Sequence, residues 1–115
     1  MATPPEDFSI SAADVEGRAH LTLRGELDLA TAPELEQLVN ERIDSSQEVV
    51  IDLRGLEFMD SSGVRVLVAA NARSESEGGP LRIVRPEPGS PVERILVVSG
   101  IDRALPFVDE VDEPT

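Results

Sequence analysis

The sequence predicts an α/β fold, a single small sandwich in which a mixed sheet of four to five strands is packed by helices. Three observations carry that reading. Apolar residues alternate near the start of the chain, the period of half-buried strands, and later recur at helical spacing between short apolar runs. The resulting order, β-β-α-β-α-β-α and a short last strand, demands crossovers into a largely parallel sheet, right-handed by rule, after an antiparallel first hairpin. A length of 115 residues leaves room for one domain and no second.

Residues 1–7 are Pro-rich and acidic and are expected to form a disordered tail ahead of a domain over 8–108. Phe8, Ile10 and Ala12 then alternate with serines, and Glu16-Gly17 supplies a turn. The stretch "AHLTLRGELDL" resumes the alternation, with Leu21 and Leu23 on one face and His20, Thr22 and Arg24 on the other, so that the two runs read as a hairpin and His20 as a solvated strand residue. In "TAPELEQLVNERI", Thr31 and Glu34 have capping-box spacing, Pro33 sits harmlessly in the first turn, and Leu35, Leu38, Val39 and Ile43 recur at helical spacing. "EVVIDL" is a continuous run, the mark of a central strand covered on both faces.

After "RGLEFMDSSG" a second helix is expected, with Val64, Leu67, Val68 and Asn71 on its inner line and a stop at Gly78-Gly79-Pro80. "LRIV" is a further strand. Ser90 and Glu93 form a second capping box around Pro91, which suits the first helical position. Val92, Ile95 and Leu96 turn inward, and Gly100 ends that helix as a left-handed cap. "ALPFV" reads as a short edge strand, where Pro106 is tolerated, before an acidic tail over 109–115.

Composition removes most chemistries. Without cysteine there is no disulfide, thiolate nucleophile or sulfur-ligated metal, and without lysine no P-loop and no Schiff base. No spacing suggests a metal site, and no cofactor is implied. His20 is the only histidine, and no serine stands in a G-x-S-x-G elbow, so a hydrolytic triad has no support. Asp52 resembles the phosphoacceptor of a bacterial receiver domain, but the acidic pair and the lysine that chemistry needs are missing. The chain therefore reads as a binding protein and not an enzyme. A net charge of −13 repels nucleic acid and attracts a partner with basic groups. No run reaches transmembrane length and the start is not a signal peptide, so a cytoplasmic protein with no membrane partner is expected.

One junction does not fit a purely structural reading. In "FMDSSGV", Asp60-Ser61-Ser62-Gly63 stand where a strand gives way to a helix. A helix start needs one capping side chain, and here three stand in a row. Gly63 in the first turn costs about 1 kcal/mol of helix propensity relative to Ala. A bare backbone there would let another polypeptide approach closely. Either serine is a candidate cap, leaving the other to face a partner.

Together, "RGELDLATAPEL", "VVIDLRGLEFMDSSGVRVL" and "VVSGIDRALPFV" resemble the STAS family, in particular the bacterial anti-sigma-factor antagonists, over about residues 8 to 108. The resemblance implies a STAS-type sandwich and a partner switch. The unmodified protein would bind an anti-sigma factor, itself a serine kinase of the histidine-kinase-like ATPase fold, and so free a sigma factor. That kinase would phosphorylate the serine after the aspartate, Ser61, with Ser62 as competitor, and a serine phosphatase would reset it. The docking surface would draw on Glu26, Asp28, Thr31, Met59, Asp60, Ser62, Gly63 and Arg65. Two departures stand out: the family usually has a small residue where Arg65 stands, and many antagonists close with another helix where this chain has an acidic stub. The alternatives are a STAS module of a transporter or other multiprotein assembly, docking without a phosphorylation cycle, and a small phosphotransfer or hydrolase domain using Asp52 or Ser61 as nucleophile. General physics fits the switch. Phosphorylation adds about −1.5 to −2 charges, a negative group at a helix N-terminus is favoured by about 0.3–1 kcal/mol, and the same dianion at an interface opposes docking by up to several kcal/mol.

Overall fold

The expected hairpin is present: β1 (Phe8–Val15) pairs antiparallel with β2 (Arg18–Leu27), from Phe8↔Gly25 to Val15↔Arg18. Glu16 at φ 53° and Gly17 at φ 84° make the left-handed two-residue turn that matches the twist of the strands. The computed structural model describes residues 8–77 and 79–109. The tail expected over 1–7 lies outside them, as does that over 109–115 apart from Asp109, whose carboxylate pairs with Arg85 at 3.1 Å.

From β2 the chain crosses through α1 (Ala32–Asp44) to β3 (Glu48–Met59) and through α2 (Ser61–Glu77) to β4 (Leu81–Val84). It then passes through α3 (Pro91–Val98) and a 3-10 turn (Ile101–Arg103) to β5 (Phe107–Val108). Each crossover lands on the next strand, giving the order β1-β2-β3-β4-β5 with β2 to β5 parallel. Pro106 precedes the edge strand and contributes through its carbonyl, which accepts Ile83 N–H at 3.1 Å. Right-handed crossovers between successive neighbours bring the connecting helices to one face of the sheet. A single core results, in which Leu21, Leu23, Ile51, Leu53 and Ile83 of the strands meet Leu35 and Val39 of α1, Leu67 and Ala70 of α2, and Val92 and Leu96 of α3.

Several local expectations are corrected. β3 is not covered along both faces: Val49, Val50, Ile51 and Leu53 are buried, but Asp52 and Arg54 are half-buried on the side away from the helices. His20 is not solvated. It stands in register between Ala13 of β1 and Val50 of β3, so its ring lies over the sheet, buried, with Nε2 lacking a hydrogen-bond partner among the described residues. The inner line of α2 is Gly63, Val66, Leu67, Ala70 and Ser74, whereas Val68 is 43% exposed. The helix turns its smallest side chains inward, and a reading of apolar periodicity passes over glycine and serine.

The capping box expected at α1 is not made, because Thr31 is already in helical backbone and its hydroxyl turns back to the end of β2. The box at α3 is made in modified form. Ser90 Oγ accepts Glu93 N–H at 3.1 Å, while the Glu93 carboxylate takes the N–H of Gly89 at 2.7 Å. Gly100 is left-handed at φ 80°, as a helix end requires.

Candidate functional site

Two parallel strands end side by side. Leu27↔Met59 is the last pair of the β2–β3 ladder, and Asp60 N–H continues it by donating to Leu27 O at 3.1 Å. Each strand runs at once into a helix, so α1 and α2 begin next to each other at the carboxyl edge of the sheet. That edge is where open α/β sheets place their binding residues.

The loop from β2 to α1 is braced by two residues. Asp28 Oδ1 accepts the N–H of Ala30 at 3.0 Å and of Thr31 at 3.2 Å, an Asx turn. Thr31 Oγ1 accepts Asp28 N–H at 2.9 Å, and its proton is within reach of the Glu26 carbonyl at 3.0 Å and Asp28 Oδ1 at 3.1 Å. The braced loop lifts Leu29 to its tip, 75% exposed.

The junction from β3 to α2 assigns the cap. Asp60 Oδ1 accepts Ser62 N–H at 2.8 Å, and the Asp60 carbonyl accepts Gly63 N–H at 3.0 Å and Val64 N–H at 3.2 Å. The aspartate thus caps α2, and neither serine does. Ser61 is exposed on the first turn, and its hydroxyl makes no hydrogen bond among the described residues. Ser62 is half-buried and turned to α1, where it lines a groove of about 160 Å³ with Leu29, Pro33, Glu36 and Arg65.

Two residues expected on the docking surface are inside the fold. Gly63 is buried, and a Cβ there would stand 2.5 Å from Met59 Cγ and 2.8 Å from Leu27 Cδ2. Its bare backbone serves the seating of α2 on the strand ends, not the approach of a second polypeptide. Met59 is 2% exposed for the same reason, its side chain filling the space beneath that glycine. The other expected residues do gather at this edge: Glu26 and Arg65 are exposed, and Asp28, Thr31, Asp60 and Ser62 are half-buried.

Sequence reasoning passes over two residues of the same surface. Leu29 and Phe58 are large apolar side chains left exposed, at 75% and 43%, Leu29 next to Asp28 and Phe58 two residues before Asp60 in the chain. Phe58 pairs in register with Glu26. Continued alternation from Leu27 would bury Leu29; the Asx turn releases it. A leucine caught inside an Asp-x-x-Thr turn is the signal that could have found it.

Asp52 is not brought to this site. It lies on the open face of the sheet, tied to Arg54 by the backbone N–H at 2.9 Å, Nε at 3.0 Å and Nη2 at 2.7 Å. Burial alone would raise its carboxyl, but the Arg54 hydrogen bonds and charge, with a smaller contribution from His20, hold it below the ordinary carboxylate value. Among the described residues no group of histidine and acidic side chains has the geometry to hold a metal ion, and no helix is long and apolar enough to cross a membrane.

Comparison with known proteins agrees with this geometry. The family model described as "Mlab, STAS domain" matches residues 10–109. The anti-sigma-F factor antagonist RsfB of Mycobacterium tuberculosis (strain H37Rv) is 34% identical over 102 residues, 88% of this chain and 81% of that protein. An anti-sigma F factor antagonist of Paenibacillus polymyxa is 34% identical over 89 residues, 76% of this chain and 74% of that protein. The crystal structure of an anti-sigma factor antagonist from Mycobacterium paratuberculosis has a TM-score of 0.81 at 28% identity, covering 96% of this chain and 93% of that one. With its five-stranded mixed sheet, its strand-to-helix junction at Asp60-Ser61 and these relatives, the chain belongs to the STAS-domain family.

Proposed function

We propose that this protein is an anti-sigma-factor antagonist that works in the cytoplasm by binding, with no reaction of its own. Unphosphorylated, it docks on an anti-sigma factor that is a serine kinase of the histidine-kinase-like ATPase fold, and a sigma factor is released. Phosphorylation of Ser61 ends the docking, and a serine phosphatase restores it by hydrolysis. In the transfer, Ser61 Oγ attacks the γ-phosphorus of ATP held by the kinase. The new Oγ–P bond forms as the bond to the β,γ-bridging oxygen breaks, ADP leaves, and the hydroxyl proton passes to a base of the kinase.

The observation that carries this reading is the Ser61 hydroxyl, exposed at the start of α2 and without a hydrogen bond among the described residues, while Asp60 does the capping. A phosphate there displaces no hydrogen bond of the described residues and sits at the positive end of the helix, so the fold tolerates it. The surrounding surface suits a protein partner. Leu29 and Phe58 offer apolar anchors, and Glu26, Asp28 and Asp60 select basic groups opposite. Against such a partner, a desolvated dianion costing about 2–5 kcal/mol weakens binding by roughly thirtyfold to several thousandfold.

The test is incubation with the anti-sigma factor kinase of the same cell and ATP, followed by mass spectrometry and a binding titration. Wild type is expected to gain one phosphate on Ser61 and to lose affinity, while Ser61→Ala gains none and stays bound. Phosphate on Ser62 would reassign the acceptor. Docking that is indifferent to ATP, with Ser61 unmodified, would instead fit a STAS module of a transporter or other assembly.

A further inference from the structure

We propose that Arg65 is the internal counter-ion of phosphorylated Ser61, so that modification both adds a dianion to the docking surface and withdraws the cation from it. This rests on the reading of Ser61 as phosphoacceptor and adds how the modified state is held.

Ser61 and Arg65 are four residues apart on α2, a spacing that places their Cβ atoms about 5–6 Å apart on one face. Long helical side chains lean toward the helix N-terminus, which aims the Arg65 guanidinium back over Ser61. Arg65 is exposed and makes no ion pair or hydrogen bond among the described residues. Arg73, Arg82 and Arg85, in contrast, are each tied to an acidic side chain.

The local charge decides what Arg65 meets. The segments 26–36 and 57–66 that build this edge carry Glu26, Asp28, Glu34, Glu36, Glu57 and Asp60, and Arg65 is their only cation. A phosphate placed in that field is repelled by every charged residue of these two segments but one. A guanidinium presents parallel N–H groups that fit two phosphate oxygens at once, so the pair is geometrically favoured as well as electrostatically. In the unmodified protein Arg65 lines the groove with Leu29 and Glu36, free to meet an acidic group of the partner. Captured by the phosphate, it is no longer available there.

The experiment uses the full chain with phosphoserine installed at residue 61 during translation, and follows the second ionisation of the phosphate by phosphorus NMR against pH. Arg65→Gln is expected to raise the midpoint by about 0.2–0.4 pH unit, roughly a twofold change in the acid constant, the size of an exposed i,i+4 charge pair. Arg24→Gln, a cation on β2 facing away from α2, is expected to leave it in place. Equal midpoints in wild type and Arg65→Gln, with helix content unchanged by circular dichroism, would overturn the proposal. So would a shift produced by Arg24→Gln alone. Because no kinase is involved, the two readings fail separately. An absent kinase reaction with a shifted midpoint removes Ser61 as the natural acceptor, while normal phosphorylation with equal midpoints removes only Arg65.

Discussion

Gly63 is where a helix start and two strand ends compete for one space. Its φ is not left-handed, so alanine could adopt the backbone, and in a helix alanine is favoured over glycine by about 1 kcal/mol. Against this stands a methyl group 2.5 Å from Met59 Cγ and 2.8 Å from Leu27 Cδ2. Forcing a methyl into a packed site costs about 1–3 kcal/mol, somewhat relieved by the flexibility of methionine. The steric cost is the larger, so Gly63→Ala is expected to lower stability by about 1 kcal/mol, read as a lower urea midpoint at unchanged slope. A higher midpoint would mean the space is open and the glycine serves a visiting chain after all. Propensity correctly says that something wants a bare backbone at this position; which neighbour wants it is not in the local sequence. Leu27 and Met59 are far apart in the chain and meet only through the parallel register. The same holds for the cap, since Asp60, Ser61 and Ser62 have nearly equal local claims and the hydrogen bond from Ser62 N–H settles them.

At the scale of elements, the loop between β2 and α1 works as a presented tip. Asp28 holds the N–H groups of Ala30 and Thr31 and meets the Thr31 hydroxyl, and the exposed residue between these contacts is Leu29. Asp28→Ala removes the acceptor for all three. Water replaces part of it at this half-exposed position, so a stability loss of about 1 kcal/mol is expected. Binding to the anti-sigma factor proposed as its partner is expected to fall by more than that, because Leu29 loses its fixed place. Asp28→Asn keeps an oxygen at Oδ1 and is expected to retain most of both. Unchanged calorimetric affinity in Asp28→Ala would remove the loop from the docking surface. Which elements exist was legible from periodicity, since the longer ones bury apolar residues at strand or helix spacing. Their rotation and caps were legible only where the determinants are local. The Ser90–Glu93 box closes within one turn. The Thr31–Glu34 pattern is overridden by the strand end behind it, and α2 is turned inward on small residues that carry no hydrophobic signal.

For the whole molecule, a largely parallel sheet follows from the alternation of strands and helices after the first hairpin, whereas the open second face of the sheet does not follow from "VVIDL" alone. There Val50 is buried while Asp52 and Arg54 pair at a half-buried site, in a shallow depression shared with Thr22 and Arg24. The pairing gives an acid-dependent contribution to stability whose sign is fixed. The Asp52 carboxyl is held below its ordinary value in the folded chain, so folding favours the ionised form. That contribution is complete above the unfolded value, about pH 4, and is lost as pH falls through the lower native value. Asp52→Asn removes it at every pH. The urea midpoint of wild type is therefore expected to exceed that of the variant at neutral pH, and the gap to narrow as the pH drops below about 4. The measurement belongs at fixed ionic strength. A chain of net charge −13 and isoelectric point near 4.3 changes its overall self-repulsion across the same range, and this background is nearly common to both proteins. A gap that stays constant into acid would mean that the Asp52 carboxylate draws nothing from Arg54, and that the pair only fills the open face.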